Sequence, residues 1–388
     1  MVAAASGRID GPAAAALLDG GPVRWQRLVD LARWHRVSPL LWELLRERAE
    51  PLGFDVPSGV LVALRDDVRG ATARSLNLRF ELDRILTLLD EAAIPAMLLK
   101  GAALVEAVYP HPGLRPMVDL DILIRREDLE RAHATLASAL GYDLTLARLD
   151  RDDELRLATS HHHFPLVRQG GALMVELHHR LLKDRPEYPV GGIWDRARPG
   201  DRPPAHLLPA PEDLALHVAV HFALDRINRR ESALGQLADL LRVAQVWELD
   251  WDAIADRAAV GRVADRLFLA LEACRQLFGD LAPPALVEAL HPASYTPELG
   301  AAFVRQRVLS SGPSLPLEQL QKSGGRRVFP GRGALEVYVR VDEPTPSLTR
   351  LRLRRWSALG RRVVAELPGP RAFARDARLS RWISTLQD

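Results

Sequence analysis

Cysteine is almost absent from this sequence: there is one, Cys274, among 388 residues. A single thiol cannot form a disulfide within the chain, and it cannot supply a zinc or iron–sulfur site that needs several cysteines. We therefore expect neither feature. A chain that does not depend on disulfides also fits the reducing cytoplasm, where we predict that the protein resides.

Long apolar runs are lacking as well. No stretch approaches the roughly 18 uncharged apolar residues that a membrane-spanning helix requires. Residues 1–21 contain many small side chains but lack the positive start and the apolar run of a signal peptide. The composition, 47% hydrophobic and 26% charged, is that of an ordinary globular protein. We predict a soluble protein that has no membrane partner.

Lysine is also scarce in this sequence. Of the 52 basic residues only three are lysines, at positions 100, 183 and 322, so arginine is the default basic residue of this chain. A lysine at a chemically interesting position is therefore more noteworthy here. The formal net charge is only +2. The Arg-rich segment 350–381 is interpreted as a solvated helix face; a nucleic-acid partner stays open but is not favoured.

The spacing of apolar residues divides the chain. Between residues 23 and 92 they recur every three or four positions, which predicts helices, the longest from Ser58 to Ala92. Strand patterns are concentrated in 94–182, residues 195–211 hold five prolines and are interpreted as a connector, and helical spacing returns at 212–278. This order predicts an α+β fold. The predicted regions are a helical N-terminal region (1–92), a strand-rich core (93–195), a helical region (211–290) and a C-terminal region with the Arg-rich tail (291–388).

Within the core, strands and helices are expected to alternate. Apolar runs bounded by turn residues predict the strands. One helix has acidic residues in its first turn and Gly141 just past its end, as helix caps and the helix dipole prefer. The predicted order is strand Ile94–Leu99, helix Ala102–Val108, strand Met117–Ile124, helix Arg126–Leu140 and strand Tyr142–Leu146.

Two carboxylates stand out in the strand Met117–Ile124. Side chains alternate between the faces of a strand, so Asp119 and Asp121 share one face. Two like charges in an apolar strand repel each other, and a divalent cation such as Mg²⁺ or Mn²⁺ relieves this repulsion. A pair at a solvated strand end explains the same pattern, so the two aspartates alone do not establish a metal site.

A turn with one of the rare lysines joins the first predicted strand to the helix after it. It reads Lys100-Gly101-Ala102. A glycine lets the backbone approach a phosphate closely, and the N-terminus of a helix favours an anion. We expect these three residues to bind the phosphates of a nucleotide, although so short a motif is not specific by itself.

A hairpin is predicted around Gly170-Gly171, a dipeptide that suits a two-residue turn. A turn of that length pairs Gln169 with Ala172, and counting outward places His163 opposite His178. Paired residues share a face of the sheet. We expect this face to line the substrate side of a site. The alternative is that it is the solvated face of an ordinary sheet. The polar residues on it are His161, His163, Glu176, His178 and Arg180.

Several of these segments together resemble one known family. Between about residues 85 and 245 the chain closely resembles the uncharacterised bacterial nucleotidyltransferases of the DNA polymerase beta-like superfamily. The segments that carry the resemblance are Leu98–Gly101, Tyr109–Pro110, Gly113–Ile124, Glu127–Ala132, Gly141–Tyr142, Val175–His178, Pro211–Leu214 with His217 and His221, and Leu237–Asp239.

The resemblance implies a polymerase-beta-like mixed sheet flanked by helices, with 93–195 as the nucleotidyltransferase core. It implies that the turn at Lys100 cradles the triphosphate of an NTP. It further implies that Asp119, Asp121 and Glu176 form a three-carboxylate site for Mg²⁺ or Mn²⁺. The superfamily usually has Gly-Ser or Gly-Gly in the turn, so Gly101-Ala102 here lacks a hydroxyl that would contact the phosphates.

The predicted activity is metal-dependent transfer of a nucleoside monophosphate, with AMP favoured, from an NTP to an acceptor hydroxyl. The acceptor is a small molecule, a peptide or protein, or an RNA. We expect Asp119 and Asp121 to hold the metal, and Glu176 to ligate a second metal or act as general base. Lys100 or Arg115, which match recurring positions of the family, would offset charge on the pyrophosphate. The alternative is a non-catalytic nucleotide-binding or partner-binding module with the same fold.

The remaining histidines have simpler interpretations. The triplet at 161–163 could build a transition-metal site with His178, but a substrate contact or a polar sheet face explains it as well. His217 and His221 lie one helical turn apart and lack the glutamate of a zinc-protease motif, so we expect buried, hydrogen-bonded histidines. Asp239, in a Leu-rich helix, is a candidate partner for one of them, and a residue that caps a pocket is the other interpretation.

Overall fold

The computed structural model describes residues 23–49, 55–144, 163–168, 173–182, 188, 190–228, 234–309, 379 and 382–383. Up to residue 144, helices precede a region in which strands and helices alternate. In chain order these elements are α1 (Trp25–Trp34), α2 (Ser38–Arg48), α3 (Ser58–Glu91), β1 (Ala96–Leu98), α4 (Lys100–Ala107), β2 (Asp119–Ile124), α5 (Leu129–Leu140) and β3 (Tyr142–Leu144).

The later elements begin with a hairpin and end in a group of helices. They are β4 (His163–Arg168), β5 (Met174–His178), α6 (Val190–Asp195), β6 (Arg198–Pro199), β7 (Leu207–Leu208), α7 (Pro211–Asn228), α8 (Leu234–Val246), α9 (Trp251–Val260), α10 (Ala264–Phe278), α11 (Pro284–Ala289) and α12 (Pro297–Phe303). A π-helical turn, Val304–Val308, follows α12. None of the described helices is long and apolar enough to cross a membrane.

All seven described strands form one mixed sheet in the order β3-β4-β5-β2-β1-β7-β6. β2 runs parallel to β5, and β1 runs parallel to β7. The other neighbours are antiparallel. Because β2 lies between β5 and β1, the carboxylates on β2 have a strand on either side. A mixed sheet flanked by helices agrees with the predicted α+β class.

The long helix α3 covers part of this sheet. It is 34 residues long and packs on β1, β2 and α5. Leu82, Ile85 and Leu89, spaced three and four residues apart, are among the side chains that it buries. Burial of each such side chain stabilises the fold by about 1.5–3 kcal/mol. The helical prediction for Ser58–Ala92 is therefore confirmed, and its driving force is the apolar stripe.

Two local predictions in the core are also confirmed. Gly141 ends α5 in the left-handed conformation, with φ 69° and ψ 30°, which glycine adopts without a steric cost. The hairpin register pairs His163 with His178 and Pro165 with Glu176. The turn itself, at Gly170-Gly171, lies outside the described residues.

Two predictions need correction. Residues 195–211 are not only a connector, because β6 and β7 lie within them and extend the sheet beyond β1. Two-residue strands among prolines carry no periodic signal, so the sequence could not reveal them. The helix after β1 begins at Lys100 rather than at Ala102. Lys100 and Gly101 therefore belong to the first turn of α4 rather than to a loop before it.

The C-terminal helices pack around α7. This helix contacts α8, α9 and α10, and it also reaches α4, the helix that follows the first strand. Its side chains from Leu214 to Val220 are nearly all buried. Through α7 the helical region thus contacts α4, which packs on β2, the strand that carries the two aspartates.

Candidate active site

Two neighbouring parallel strands bring carboxylates together. The register of β2 and β5 pairs Asp121 with Glu176 and Asp119 with Met174. Paired residues of adjacent strands point to the same side of a sheet, so Asp121 and Glu176 lie side by side. Asp119 is two residues before Asp121 on the same strand and shares that face. Asp121 is 3% exposed, so its carboxylate is removed from water.

Lys100 lies against these carboxylates. Its backbone has a positive φ of 44°, which is uncommon for a residue with a side chain and is concentrated at functional turns. The Nζ atom donates to Oδ1 of Asp121 at 2.6 Å and lies 3.9 Å from Oε2 of Glu176. One ammonium group thus offsets part of the negative charge of the cluster.

His178 supplies a second donor from β5. Its ring is fully buried, and its Nε2 lies 2.8 Å from Oδ1 of Asp121 and 3.3 Å from Oε2 of Glu176. An ionised carboxylate can only accept a hydrogen bond, so Nε2 must carry the proton. His178 therefore ties the two carboxylates together and fixes their orientation.

The two aspartates of β2 have opposite electrostatic environments. Burial alone would raise the pKa of Asp121, but the Lys100 charge and the His178 hydrogen bond hold it well below its usual value. The pKa of Asp119 is raised, first by burial and then by the charges of Asp121 and Glu176, which outweigh the nearby cations. Cationic groups of the protein thus balance the negative charge of Asp121. The negative charge of Asp119 is not balanced in this way, and a bound cation would stabilise it.

The basic groups respond in the complementary way. Burial would lower the pKa of Lys100, yet the carboxylates of Asp121 and Glu176 raise it above its usual value. Burial and the Lys100 charge would both lower the pKa of His178, but its hydrogen bonds to the same carboxylates produce a net rise. Both groups are therefore stabilised in their positive form by the acidic cluster.

Arg115 lies beside the same turn. A methyl group placed on Gly101 would lie 2.5 Å from Nη1 of Arg115 and 2.9 Å from Sδ of Met117, so any larger residue would displace these two side chains from the turn. The guanidinium is bound by Asp239 of α8, with Nη2 3.1 Å from Oδ2. Burial opposes the charge of Arg115, but Asp239 raises its pKa, so the group stays positive.

Within the part of the chain that the structure describes, His217 of α7 lacks the hydrogen bonds that the sequence predicts for it. His221 is only partly buried, but it has the predicted hydrogen bond, since its Nδ1 lies 3.0 Å from Nε2 of Gln236. The ring of His217 is 1% exposed, and neither ring nitrogen has a hydrogen-bond partner among the described residues. Burial lowers its pKa well below the usual value, and the charges of His221 and Lys100 lower it further, so the ring is neutral.

The donor set fits a divalent cation. One carboxylate oxygen of Asp121, one of Glu176 and a ring nitrogen of His178 lie within 4.8 Å of one another. Carboxylate oxygens are the hard ligands that Mg²⁺ and Mn²⁺ prefer. The uncompensated charge near Asp119 is a second reason for a cation here. His178 uses its Nε2 to donate to the carboxylates, so it orients oxygen ligands rather than acting as one.

A comparison with known protein families identifies the family of this chain. A family model described as an uncharacterised nucleotidyltransferase matches residues 21–279. The chain belongs to this nucleotidyltransferase family. The predicted family, the predicted fold class and the prediction of an enzyme are thereby confirmed, and membership implies an NTP as substrate. No curated protein and no solved structure matches the chain at a significant level.

In this nucleotidyltransferase the predicted site residues fall into three groups. Asp119, Asp121, Glu176, Lys100 and His178 lie together, and Gly101, Ala102 and Arg115 lie at the adjacent turn. Arg180 is partly buried two residues past the end of β5 and forms no hydrogen bond or ion pair with a described residue. His161 lies outside the described residues, and of His163 only the backbone, opposite His178, is described.

The partner of Arg115 differs from what the sequence predicts. Asp239 is predicted to pair with a histidine or to cap a pocket, and in the structure it accepts from Arg115 and from the hydroxyl of Tyr109. Asp239 lies 124 residues from Arg115 along the chain, and nothing in the spacing indicates this contact. The only sequence feature that indicated such a contact is a carboxylate among the leucines of α8, because a buried charge needs a partner.

Proposed function

We propose that this nucleotidyltransferase moves a nucleoside monophosphate, preferably AMP, from an NTP to an acceptor hydroxyl. In this proposal Asp119, Asp121 and Glu176 hold Mg²⁺ or Mn²⁺. The observation that carries the proposal is that these carboxylates share one face of β2 and β5, next to the turn that begins α4. The raised pKa of Asp119 supports it further, since a bound cation relieves this unfavourable charge.

The reaction joins the acceptor oxygen to the α-phosphorus of the NTP. The bond between the α-phosphorus and the bridging oxygen breaks, and pyrophosphate leaves. A bound divalent cation supplies charge neutralisation at the phosphate oxygens. The proton of the acceptor hydroxyl must pass to a base, for which Glu176 is the candidate if it is not itself a ligand of a second metal.

The protein groups around the cluster have roles that follow from their positions. The first turn of α4 offers free backbone N–H groups to phosphate oxygens, and Gly101 lets them approach closely. Lys100 and Arg115 supply the positive charges beside this turn. His178 keeps Asp121 and Glu176 in a fixed orientation through its shared N–H. Such preorganised charge is the main catalytic contribution that a transferase of this kind needs.

The proposal is tested by label transfer. The purified protein is incubated with each α-³²P-labelled NTP, with Mg²⁺ or Mn²⁺, and with cell extract as the source of acceptors. We expect one molecule to become labelled, and most strongly from ATP. Asp121→Asn should abolish the label while the protein remains folded.

A matched control comes from Asp213, which is also buried and accepts two hydrogen bonds from the guanidinium of Arg196. Asp213→Asn should keep the label. Undiminished transfer by Asp121→Asn, or no label from any NTP, would overturn the proposal. Treatment of the labelled product with ribonuclease or protease then separates RNA, protein and small-molecule acceptors.

A further inference from the structure

We propose that Asp239 is a positioning residue for nucleotide binding: it holds Arg115 so that one guanidinium nitrogen faces the turn at Gly101. This inference rests on the proposed function, because it assigns Arg115 to the phosphates of the NTP. It extends the site from the sheet to α8, a helix of the C-terminal part of the chain.

Only one edge of the Arg115 guanidinium forms hydrogen bonds with described residues. Its Nε lies 3.4 Å from Oδ1 of Asp239 and its Nη2 lies 3.1 Å from Oδ2, which is the two-point contact that an arginine and a carboxylate favour. The third nitrogen, Nη1, has no hydrogen-bond partner among the described residues. Because two contacts fix the plane of the group, the direction of Nη1 is fixed as well.

Nη1 points at the turn that would receive the phosphates. It is the nearest atom to a methyl group placed on Gly101, at 2.5 Å. The Arg115 side chain is 21% exposed, whereas that of Asp239 is 4% exposed. The buried carboxylate therefore holds the inner edge of the guanidinium, and Nη1 lies beside Gly101 in the first turn of α4. A phosphate oxygen bound at this turn would contact Nη1 and the free N–H groups of the helix N-terminus.

Asp239 is itself held in place. The hydroxyl of Tyr109 donates to its Oδ1 at 2.8 Å. Burial, and then the charge of Asp239, raise the pKa of Tyr109 well above its usual value, so the hydroxyl keeps its proton and remains a donor. Arg242, one helical turn after Asp239, lies over the Tyr109 ring and donates to Glu43 of α2 at 2.8 Å. These contacts give the Asp239 carboxylate one orientation.

A purely structural role for Asp239 is the competing explanation. The ion pair between Asp213 and Arg196 has similar two-point geometry, with distances of 2.8 and 2.9 Å, and no contact with the turn. Loss of either aspartate removes a buried partner of an arginine, which destabilises a protein in both cases. Only the loss of Asp239 should also lower the affinity of the protein for the phosphates of the nucleotide.

The experiment measures binding of α-³²P-labelled ATP and AMP in the presence of Mg²⁺ by equilibrium dialysis, with GTP, CTP and UTP as further probes. We expect Asp239→Asn to weaken ATP binding at least about tenfold and AMP binding less than about twofold, because Arg115 contacts the phosphates that leave. Asp213→Asn should change neither. Asp239→Asn should have no further effect in a protein that already carries Arg115→Met.

The possible results distinguish a failure of the proposed function from a failure of the role inferred for Asp239. If the unmodified protein binds none of the four NTPs, the proposed function itself is wrong. If it binds ATP but Asp239→Asn weakens binding equally with and without Arg115, Asp239 is a structural residue and the inference is overturned. Should Asp239→Asn fail to fold, Tyr109→Phe replaces it: a two- to fivefold loss of ATP affinity supports the inference, and unchanged affinity overturns it.

Discussion

Asp121 should have a measurable effect on stability in addition to its effect on catalysis. In the metal-free protein its buried carboxylate accepts from Lys100 at 2.6 Å and from His178 at 2.8 Å. Removing one partner of a buried ion pair typically costs about 3–5 kcal/mol. Glu176 stays within 3.9 Å of the lysine and 3.3 Å of the histidine and offsets part of the loss. For Asp121→Asn we therefore expect about 2–3 kcal/mol at pH 7.

The pH dependence gives this prediction a second signature. The folded-state pKa of Asp121 lies well below its usual value of 3.8, because Lys100 and His178 outweigh burial. A carboxylate with a lowered pKa stabilises the fold above its unfolded pKa, and this stability is lost as pH falls through the folded pKa. The stability difference between the unmodified protein and Asp121→Asn should thus be complete at pH 7 and shrink below about pH 4.

The assay is thermal unfolding followed by circular dichroism, in the presence of EDTA, between pH 7 and pH 3. A loss of 2–3 kcal/mol corresponds to a decrease in Tm of about 3 °C for a chain of this length. The double variant Lys100→Met/Asp121→Asn should recover part of the loss, since it leaves no lysine without its partner. If the variant is as stable as the unmodified protein at pH 7, or if the difference in stability does not change with pH, the Asp121 carboxylate does not stabilise the fold through these two contacts.

Three further predictions concern the same region. Asp119→Asn should raise the Tm of the metal-free protein at pH 7, because a carboxyl with a raised pKa gives stability only at acid pH and loses it as pH rises through that pKa. The same variant should weaken Mn²⁺ binding at least about tenfold, as measured by electron paramagnetic resonance. Lys100→Met should tighten Mn²⁺ binding at least about threefold, since the ammonium no longer competes for Asp121, and yet slow label transfer. His217→Leu should stabilise the protein by about 1 kcal/mol, seen as a higher Tm, because it removes a buried ring whose nitrogens lack partners within the described part of the chain.

Each of these three results can go the other way. Unchanged Mn²⁺ affinity in Asp119→Asn would remove that residue from the metal site. Weaker Mn²⁺ binding in Lys100→Met would show that the lysine organises the carboxylates rather than competing with the cation. A lower Tm in His217→Leu would mean that the imidazole is stabilised by contacts other than hydrogen bonds. Asp213→Asn serves as the control for metal binding and should leave it unchanged.

The sequence was sufficient to predict the parts of the site that depend on local rules. Alternation along a strand placed Asp119 and Asp121 on one face. The length of a glycine turn placed His163 opposite His178, which the structure confirms. Both are consequences of the two-residue period of a strand, and they need no knowledge of distant contacts.

Contacts between distant segments could not be predicted. The pairing of Asp121 with Glu176 depends on β2 and β5 being parallel neighbours, and the pairing of Arg115 with Asp239 depends on how α8 packs. Neither leaves a periodic trace in the sequence. The ion pair of Lys100 with Asp121 likewise follows from the tertiary arrangement. The division of the chain into four regions and the catalytic roles of the site residues stay predictions.

The central claim is transfer of a nucleotidyl group, and the fate of two labels tests it most directly. Reactions are run in parallel with α-³²P and γ-³²P ATP, Mg²⁺ or Mn²⁺, and cell extract. We expect the α label to appear in an acceptor and the γ label in pyrophosphate, and we expect Asp121→Asn to abolish both. Appearance of the γ label in the acceptor, or release of inorganic phosphate in place of pyrophosphate, would contradict it.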